Sequence, residues 1–477
     1  MESGKPEEGR FKVIIAGGSV AGLSLALALE RAGIDYELFE KGQFAPQLGA
    51  SIGFYPHSLR IMDQLGVWQD IEKQVVPLRT RHHYDENGYC FESSNSLVEI
   101  TEILRRPTIF MERSKFLGIL HSNIRDKSKL HADNGIVEYE ETANGVVVTS
   151  QDGNSHQAHI LVGADGIHSR VRQSIAEKLG TTDSQLGKQL VEGFTSEYNC
   201  VFGVSRNDPS NPFLPDSMVH NVYYHTYSAI AAAGVHGLVF WFLFVKAPTQ
   251  TRTPNCPRFT DDDAQALIDK YGDAQLSPGY TVRDLWDARV KATMAPLEEG
   301  VLKKWSHGRV VLMGDAVHKA TINAGFGGNL AYEGIAYFTN ALVPLLKEHP
   351  MPSTEQLTKV FGEYYNRHNP RAHMICDFSA RITRYEAQDT WVYKFARYII
   401  PWVTDTIKIN GFVNISNGGP WLEYLPLPDI DADHCRRKPE ESKVADKRVL
   451  LPSLGVAAAV VGALVIGWHK HGTRLVN

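Results

Sequence analysis

The first 40 residues alternate a short apolar run, a helical pattern and a second apolar run. Residues 11–16, FKVIIA, are apolar and β-branched, which is typical of a buried parallel strand. A glycine turn follows, and the sequence SLALALERAG then has helical spacing that ends at Gly33. Residues 34–41, IDYELFEK, predict a second strand. The pattern therefore predicts a βαβ unit at the start of a parallel sheet.

Later patterns predict a second sheet and a helical region. Residues 56–74 have apolar side chains spaced for one helix face. Residues 137–150 read as a hairpin that turns at Asn144-Gly145. Strand patterns dominate from 190 to 300, and helical patterns dominate from 330 to 400. The chain is therefore expected to be a mixed α/β (α+β) protein with its helical part toward the C-terminus.

A long uncharged stretch lies near the C-terminus. Residues 449–468, VLLPSLGVAAAVVGALVIGW, form 20 residues without a charge, which is the length of one membrane crossing. The alternative is a buried core helix. Six basic residues lie between 436 and 448, and two lie beyond the stretch, so the positive-inside tendency places the large N-terminal part in the cytosol. We expect a single-pass protein of the endoplasmic reticulum membrane.

Composition excludes several other classes of protein. The chain has 477 residues, 22% of them charged, and a net charge of -5, which gives no reason to expect a nucleic-acid partner. The five cysteines are scattered and form no CxxC pair, which indicates neither a disulfide framework nor a cysteine metal site. No HExxH or paired histidine spacing is present, so we predict no metal.

The glycine turn after the first strand has the chemistry of a phosphate site. Residues 17–22 read GGSVAG, in which Gly17, Gly18 and Gly22 allow a tight turn and close approach to a pyrophosphate at a helix N-terminus. Ser19 replaces the usual middle glycine of GxGxxG. Glu40 ends the second strand 18 residues after Gly22, where a carboxylate can bind ribose hydroxyls. Together these residues predict an adenine dinucleotide.

Two further strand ends carry acidic or glycine-rich turns. Residues 163–172, GADGIHSRVR, follow the strand HILV, and Asp165 lies in that turn. Asp315 follows the strand RVVLM, and residues 324–329, AGFGGN, then lead into a helix. A carboxylate at a strand end can bind a ribityl hydroxyl, and a glycine-rich helix start can direct N–H groups at a flavin. Taken singly, each turn is also compatible with an ordinary strand, turn and helix with an aspartate cap.

The three motifs in this order resemble those of the class A flavoprotein monooxygenases of the p-hydroxybenzoate hydroxylase type. The resemblance covers roughly residues 10–390. Within that family the chain looks closest to fungal membrane-associated epoxidases of meroterpenoid and indole-diterpene pathways. Segments 46–53, 200–204 and 315–319 carry this closer resemblance, as does the uncharged stretch near the C-terminus.

The resemblance implies bound FAD and assigns residues to it. It places Glu40 at the adenosine ribose, Arg113 at the diphosphate or ribityl chain, and Asp315 at the ribityl chain. It places Asp165 near the pyrophosphate and the nicotinamide route. Without the resemblance, Arg113 reads as a solvated arginine at a helix start. The full set of cofactor-binding positions that it implies is Gly17, Gly18, Gly22, Glu40, Gly53, Arg113, Asp165, Asp315, Gly327 and Gly328.

The chain departs from the family pattern at three places. Ile322 and Phe326 stand where the family usually has proline and glutamine in the flavin loop. Asn199 stands where the fungal subgroup often has an arginine. Tyr224 and Tyr227 lie where that subgroup has a catalytic tyrosine, although strand tyrosines are more often packing residues.

The resemblance also implies a reaction. NADPH or NADH would reduce the flavin, and dioxygen would supply the oxygen. The expected substrate is large, apolar and prenylated, and epoxidation of a prenyl double bond is the leading reaction. Hydroxylation of an aromatic or indole part is one alternative, and a non-oxygenating flavoprotein such as a prenyl reductase is another. The chain lacks the WxWxIP segment expected of a halogenase. His318, in the sequence GDAVH, is expected to brace its loop rather than act as a base.

These inferences give an expected organisation of the chain. A Rossmann-type FAD-binding domain is interleaved with a β-sheet substrate domain, and a helical part and a C-terminal transmembrane helix follow. The expected parts are 10–190 for FAD binding with inserted strands, 191–300 for the substrate sheet, 301–417 for the FAD-binding return and helices, 418–448 for a linker, and 449–468 for the membrane span.

Overall fold

The computed structural model describes residues 10–45 and 51–431. The strands are β1 Lys12–Ala16, β2 Asp35–Phe39, β3 Ser51–Phe54, β4 Thr80–Tyr84, β5 Cys90–Ser94, β6 Ile109–Glu112, β7 Leu130–His131, β8 Ile136–Glu141, β9 Val146–Ser150, β10 Ser155–Ala158, β11 Ile160–Gly163, β12 Thr195–Arg206, β13 Met218–Tyr223, β14 Tyr227–Val235, β15 Leu238–Arg252, β16 Gln275–Ser277, β17 Tyr280–Thr281, β18 Arg289–Val301, β19 Ser306–His307, β20 Val310–Leu312 and β21 His318–Lys319. The helices are α1 Val20–Ala32, α2 Pro56–Leu65, α3 Trp68–Glu72, α4 Ser96–Leu104, α5 Arg113–Asn123, α6 Arg170–Gly180, α7 Ser184–Glu192, α8 Asp261–Tyr271, α9 Val282–Asp287, α10 Gly327–Glu348, α11 Thr354–Glu386, α12 Trp391–Ile399 and α13 Asp405–Asn417.

A six-stranded sheet forms the centre of the first part of the molecule. Its order is β19-β20-β11-β1-β2-β7, and β1 pairs in parallel with both β2 and β11. Four of the five β1 residues are buried, because helices cover a parallel sheet on both faces. The predicted βαβ unit and the predicted hairpin, here β8 and β9, are confirmed.

An eight-stranded sheet forms the second part, in the order β21-β18-β12-β15-β14-β13-β4-β5. Its side chains alternate between two faces. The outer face carries Val201, Trp241 and Leu243, and it packs against residues of α8 and α9. The inner face carries Cys200 and Phe242, together with the other members of one apolar cluster.

The inner face adjoins the connection between β21 and α10, residues 320–326, which we call the 320–326 loop. Ile322 of this loop packs on the inner face. Strand β6 also contacts the large sheet. The Phe110 ring lies 5.6 Å from the ring of Phe240 and 6.0 Å from the ring of Phe242. The two sheets therefore meet at this loop and at the β3–β6 pair.

Helix α11, 33 residues long, connects the two parts, with contacts to α10 and to β18, β13 and β14 of the large sheet. The chain after α13 remains on the body of the protein. Leu422 is buried, and Asp431 forms a buried ion pair with Arg106. Residues 418–431, at the start of the predicted linker, are thus packed against the fold.

The mixed α/β fold is confirmed. Within residues 10–45 and 51–431 we find no helix long and apolar enough to cross a membrane. The predicted membrane span, residues 449–468, lies outside the described residues.

Candidate active site

The glycine turn between β1 and α1 is too tight for side chains. Gly17 has φ of +102°, and a Cβ there would lie 2.5 Å from the carbonyl oxygen of Ala164. A Cβ on Gly22 would lie 1.8 Å from the carbonyl oxygen of Gly17. A Cβ on Gly18 would lie 2.4 Å from the Phe44 ring. A side chain at Gly17 or Gly22 would meet backbone atoms, so glycine is required at these two positions, and the bare turn lets a ligand approach the N-terminus of α1 closely.

Glu40 and Arg113 converge on this turn from different elements. Glu40 accepts hydrogen bonds from the N–H groups of Gly18, at 2.6 Å, and Gly42, at 3.1 Å. Arg113, the first residue of α5, donates from Nη2 to the hydroxyl of Ser19 at 2.7 Å. The serine that replaces the usual middle glycine therefore holds an arginine at the N-terminus of α1.

Asp165 lies beside the same turn and also supports the start of α6. A Cβ on Gly17 would lie 2.7 Å from the Asp165 Cα. Asp165 Oδ2 accepts from the N–H groups of Arg170, at 2.7 Å, and Val171, at 3.2 Å. Its Oδ1 is buried and has no partner among the described residues. Burial raises the pKa of this carboxyl above its ordinary value, against the hydrogen bonds that lower it.

Asp315 lies where helices α1 and α10 approach each other. Gly314, with φ of +61°, would place a Cβ 3.1 Å from that of Ala21 in α1 and 4.0 Å from that of Ala331 in α10. Asp315 forms an ion pair with Lys319. Burial lowers the pKa of Lys319, but the Asp315 carboxylate outweighs this effect and the net shift is upward.

The start of α10 adjoins β3. A Cβ on Gly328 would lie 2.8 Å from Ile52 Cδ1, whereas a Cβ on Gly327 would meet nothing within 4 Å. The Asn329 side chain donates to the carbonyl oxygen of Gly53 at 3.1 Å and to that of Gly325 at 2.8 Å. The structure thus brings Gly53, Gly327 and Gly328 together. The sequence did not predict that the Asn329 side chain links β3 to the start of α10.

These residues fit a bound FAD. Helix α1 begins at Val20, and the hydroxyl of the preceding Ser19 does not cap it. Helix α10 begins at Gly327, and the preceding Phe326 provides no side-chain cap. Neither helix has an acidic residue in its first turn. Two uncapped helix N-termini leave N–H donors for a pyrophosphate and for the electron-rich edge of a flavin. Arg113 adds a positive charge at the first of them, and Asp315 lies between the two.

Sequence reasoning missed the polar network that fixes the 320–326 loop. Ser379, Thr383 and Glu386 share one face of α11, at spacings of four and three residues. Ser379 donates to the carbonyl oxygen of Thr321 at 2.8 Å, and Thr383 donates to Asn323 Oδ1 at 2.8 Å. Asn323 Nδ2 in turn donates to Glu386 at 2.6 Å. Hydrogen bonds to helix α11 therefore fix the conformation of the loop.

Glu386 also reaches the large sheet. Its second oxygen accepts from Asn221 Nδ2 of β13 at 2.8 Å. Burial raises the pKa of Glu386 to about 7, while the Asn323 hydrogen bond and the charge of Arg81 act in the opposite direction. Asn221 Oδ1 and Arg81 Nε are buried and have no hydrogen-bond partner among the described residues. The end of the inner face formed by β13 and β4 thus carries one acceptor and one donor that could form hydrogen bonds with a ligand.

The structure shows the surroundings of the three residues that depart from the family pattern. Ile322 packs on the inner face, and the buried Phe326 lies 4.7 Å, ring to ring, from Tyr55. Both are apolar contacts that hold the loop. Asn199 alternates with the inner-face residues Tyr198 and Cys200 along β12, so it belongs to the opposite face.

His318 is a bracing residue in this structure. It is buried, and its Nε2 lies 3.0 Å from His368 Nε2 of α11. Burial lowers the pKa of His318 to about 4, so the ring is neutral near pH 7. Its contacts attach the Asp315 turn to α11, as expected.

Tyr224 and Tyr227 do not lie with the other predicted residues. Both belong to the outer-face cluster, and their rings stack with centroids 4.4 Å apart. Tyr224 donates to the carbonyl oxygen of Gln275 at 3.1 Å, and Tyr227 packs on Tyr271 of α8. These are packing contacts across the sheet from the 320–326 loop. The structure does not support the catalytic prediction for these tyrosines.

Within the part of the chain that the structure describes, no group of three or more histidine, cysteine, aspartate or glutamate side chains is arranged to hold a metal ion.

Fungal FAD-dependent monooxygenases are similar to this chain over most of its length. The FAD-dependent monooxygenase penM of Penicillium crustosum is 35% identical over 425 residues, which cover 88% of this chain and 89% of that protein. The FAD-dependent monooxygenase ptmM of Penicillium ochrochloron is 35% identical over 87% of this chain and 99% of its own length.

A solved structure agrees with the fold. HpxO from Klebsiella pneumoniae, complexed with FAD and uric acid, superposes with a TM-score of 0.69 at 21% identity and covers 87% of this chain and 98% of its own. The model of the FAD binding domain family matches residues 10–355. The chain therefore belongs to the FAD binding domain family, among its FAD-dependent monooxygenases.

Proposed function

We propose that this monooxygenase acts in fungal secondary metabolism and epoxidises a prenyl double bond of a large apolar substrate, such as a meroterpenoid or indole-diterpene intermediate. The observation that carries the proposal is the inner face of the large sheet. Its aromatic and aliphatic side chains adjoin the loop expected to lie against the flavin. An alkene has no polar group to bind, so it is oriented by such a surface.

When bound, FAD supplies the redox chemistry, by accepting a hydride from NAD(P)H and activating dioxygen. Phe110, Phe202 and Ile322, the partly buried side chains of the inner face, exclude water and hold the alkene by dispersion contacts. The loop at Ile322 keeps this apolar surface beside the start of α10. The net reaction places one atom of dioxygen in the epoxide, reduces the other to water, and consumes NAD(P)H and a proton.

A basic region beside the Asp165 turn supports the use of NAD(P)H. His168 follows this turn and is exposed, as is Arg258. Partial burial, then the charges of Arg258 and Lys41, lower the pKa of His168, so these groups lie near one another. Clustered cations of this kind bind phosphate groups. The side chains of Arg258 and Lys41 are the proposed contacts of the dinucleotide.

The deciding experiment is NAD(P)H consumption with product mass for a prenylated quinol or indole. Substrate-dependent consumption and a gain of one oxygen support oxygenation. A gain of two hydrogens indicates a prenyl reductase and contradicts the proposal. A gain of oxygen on the aromatic ring, located by NMR, indicates the hydroxylase instead. The Arg81 and Asn221 end of the inner face would suit that alternative, since it has unpaired polar atoms for a ring hydroxyl.

We also propose that residues 449–468 anchor the enzyme in the endoplasmic reticulum membrane with its catalytic part in the cytosol. The support is the sequence: 20 uncharged residues preceded by six basic ones. Deletion of residues 449–477 should release the protein from membranes into the soluble fraction with its flavin absorbance retained. Continued sedimentation of the truncated protein with membranes would contradict a single anchor.

A further inference from the structure

Helix α12 and the turn after it expose aromatic side chains to solvent. Trp391 is 80% exposed, Phe395 60%, Tyr398 58% and Trp402 83%. Spacings of four, three and four residues place the four rings along one side of the segment. We call these four residues the aromatic stripe. Large side chains singly exposed are ordinary, but four adjacent aromatic rings indicate a surface that meets a partner.

The polarity of α12 is reversed relative to a helix on a water-facing surface. Arg397 is buried, and its guanidinium is bonded to Glu86 at 2.6 Å. Tyr393 and Ala396 also face inward, toward the cluster that contains Tyr223 and Tyr385. A surface helix in water normally directs its charged residues outward and its apolar residues inward. Here a charged residue faces inward and the most apolar rings face outward.

We propose that the aromatic stripe docks on the surface of a lipid bilayer. Tryptophan and tyrosine are the residues that favour the membrane–water interface, and two tryptophans and one tyrosine are in the stripe. Lys394 is exposed on the same side of α12, where its charge suits anionic lipid headgroups. The stripe thus combines aromatic rings for the interface with a cation for the headgroups.

The chain outside the described residues makes this partner the best fit. Seventeen residues, 432–448, separate Asp431 from the uncharged stretch that begins at 449. Seventeen extended residues reach at most roughly 60 Å, so an anchor at 449–468 keeps the body of the protein close to the bilayer. Asp431 is fixed to Arg106 just after α4, and α4 packs on α13, which follows the stripe. The exit of the chain and the stripe therefore lie on neighbouring elements.

Docking at the stripe has a consequence for the active site. The inward face of α12 packs on Tyr223 of β13 and on Tyr385, the neighbour of Glu386. The stripe is thus one helix away from the polar end of the inner face. A bilayer in contact with the stripe would lie beside the part of the sheet proposed to hold an apolar substrate. This inference rests on the membrane association in the proposed function, but not on the reaction.

Quenching by brominated lipid tests the contact in the full-length chain. The background variant Trp468→Phe removes the tryptophan of the uncharged stretch. In vesicles that contain brominated phosphatidylcholine and an anionic lipid, we expect quenching of its fluorescence. The triple variant Trp391→Phe/Trp402→Phe/Trp468→Phe should lose most of that quenching, because phenylalanine preserves the apolar surface while removing both reporters. Equal quenching of the two proteins would overturn the proposal.

A matched pair of variants checks the position of the contact. In the Trp468→Phe background, Phe395→Glu should reduce the quenching, since it places a charge in the stripe. Val290→Glu, on the exposed side of β18, should leave it unchanged. If the proteins sediment with vesicles but show no quenching, the anchor stands and the stripe proposal fails. That outcome would leave a second copy of the chain as the occupant of the stripe. If sedimentation also fails, both proposals fail.

Discussion

Arg113 Nη2 donates a hydrogen bond to Ser19 Oγ over 2.7 Å, at the N-terminus of α1. The contact joins the start of α5 to the glycine turn, across 94 positions of sequence. The Ser19 hydroxyl accepts from Arg113 and from no backbone N–H of α1, so it leaves the N–H groups at the start of the helix to a pyrophosphate. The unusual serine and the arginine therefore act as one unit of the cofactor site.

Arg113→Ala should weaken FAD binding by the apo-protein about 10- to 100-fold, the effect of losing one charge-assisted hydrogen bond of about 1.5–3 kcal/mol. Ser19→Ala should have a smaller effect, since the arginine remains. Titration of apo-protein with FAD, followed by flavin fluorescence, measures both. Lys115→Ala is the control, because it removes an exposed charge from the same helix. Equal affinities for Arg113→Ala and the control would contradict the assigned role.

Asp315→Ala should lower the FAD content of the purified protein. The change removes the carboxylate between the starts of α1 and α10 and leaves Lys319 without its ion-pair partner. Flavin absorbance relative to protein measures the content. Asp273→Ala, which removes a highly exposed carboxylate, should keep the wild-type content. Normal flavin occupancy in Asp315→Ala would show that this aspartate does not bind the cofactor.

Glu386→Gln should change how stability depends on pH. Burial raises the pKa of Glu386 from 4.5 to about 7, so the folded state favours the protonated form. Its contribution is therefore fully present below pH 4.5 and is lost as the pH rises to about 7, by on the order of 3 kcal/mol. The variant cannot ionise, so it should gain Tm relative to wild type across this range.

The pH dependence of the difference in Tm between Glu386→Gln and wild type shows whether Glu386 is the group that titrates. Tyr55, Tyr223 and Tyr385 also interact with Glu386, but burial raises the pKa of each of them, so none of the three changes charge between pH 4.5 and 7. Loss of one amide hydrogen bond in the variant adds an offset that is the same at every pH. Glu355→Gln, at an exposed position, is the control. A pH-independent difference in Tm would refute the raised pKa.

Tyr224→Phe and Tyr227→Phe should retain kcat within about twofold of wild type. Both rings pack on the outer face, away from the 320–326 loop, and only the Tyr224 hydroxyl has a hydrogen bond among the described residues, to Gln275. Steady-state NAD(P)H oxidation with substrate measures kcat. A loss of 100-fold or more in either variant, with unchanged flavin content, would restore the catalytic role predicted from sequence.

Local patterns predicted much of the fold and of the cofactor site. The βαβ unit and the turns at Gly17, Asp165 and Asp315 each lie within a short segment, so spacing and residue type are enough to identify them. Their convergence could be expected because the carboxyl ends of parallel strands share one edge of a sheet. The mixed α/β fold and the family followed from the same motifs.

The rest of the site depends on contacts that sequence patterns do not reveal. Glu386 meets Asn221 and Asn323 across 165 and 63 positions of sequence, and no motif marks any of the three. The placement of Tyr224 depends on which face of the sheet each side chain meets. A shift of one residue reverses that face, so a loose alignment cannot decide it. The long-range partners of polar residues therefore had to come from the structure.

Attachment of the 320–326 loop to Ser379, Thr383 and Glu386 affects how the cofactor is acquired. A segment already held by its own hydrogen bonds loses little conformational entropy when a ligand arrives. Binding of FAD at this loop is then expected to resemble binding to a preformed site more than folding coupled to binding. We therefore expect the hydrogen bonds between this loop and α11 to stay in place when FAD binds.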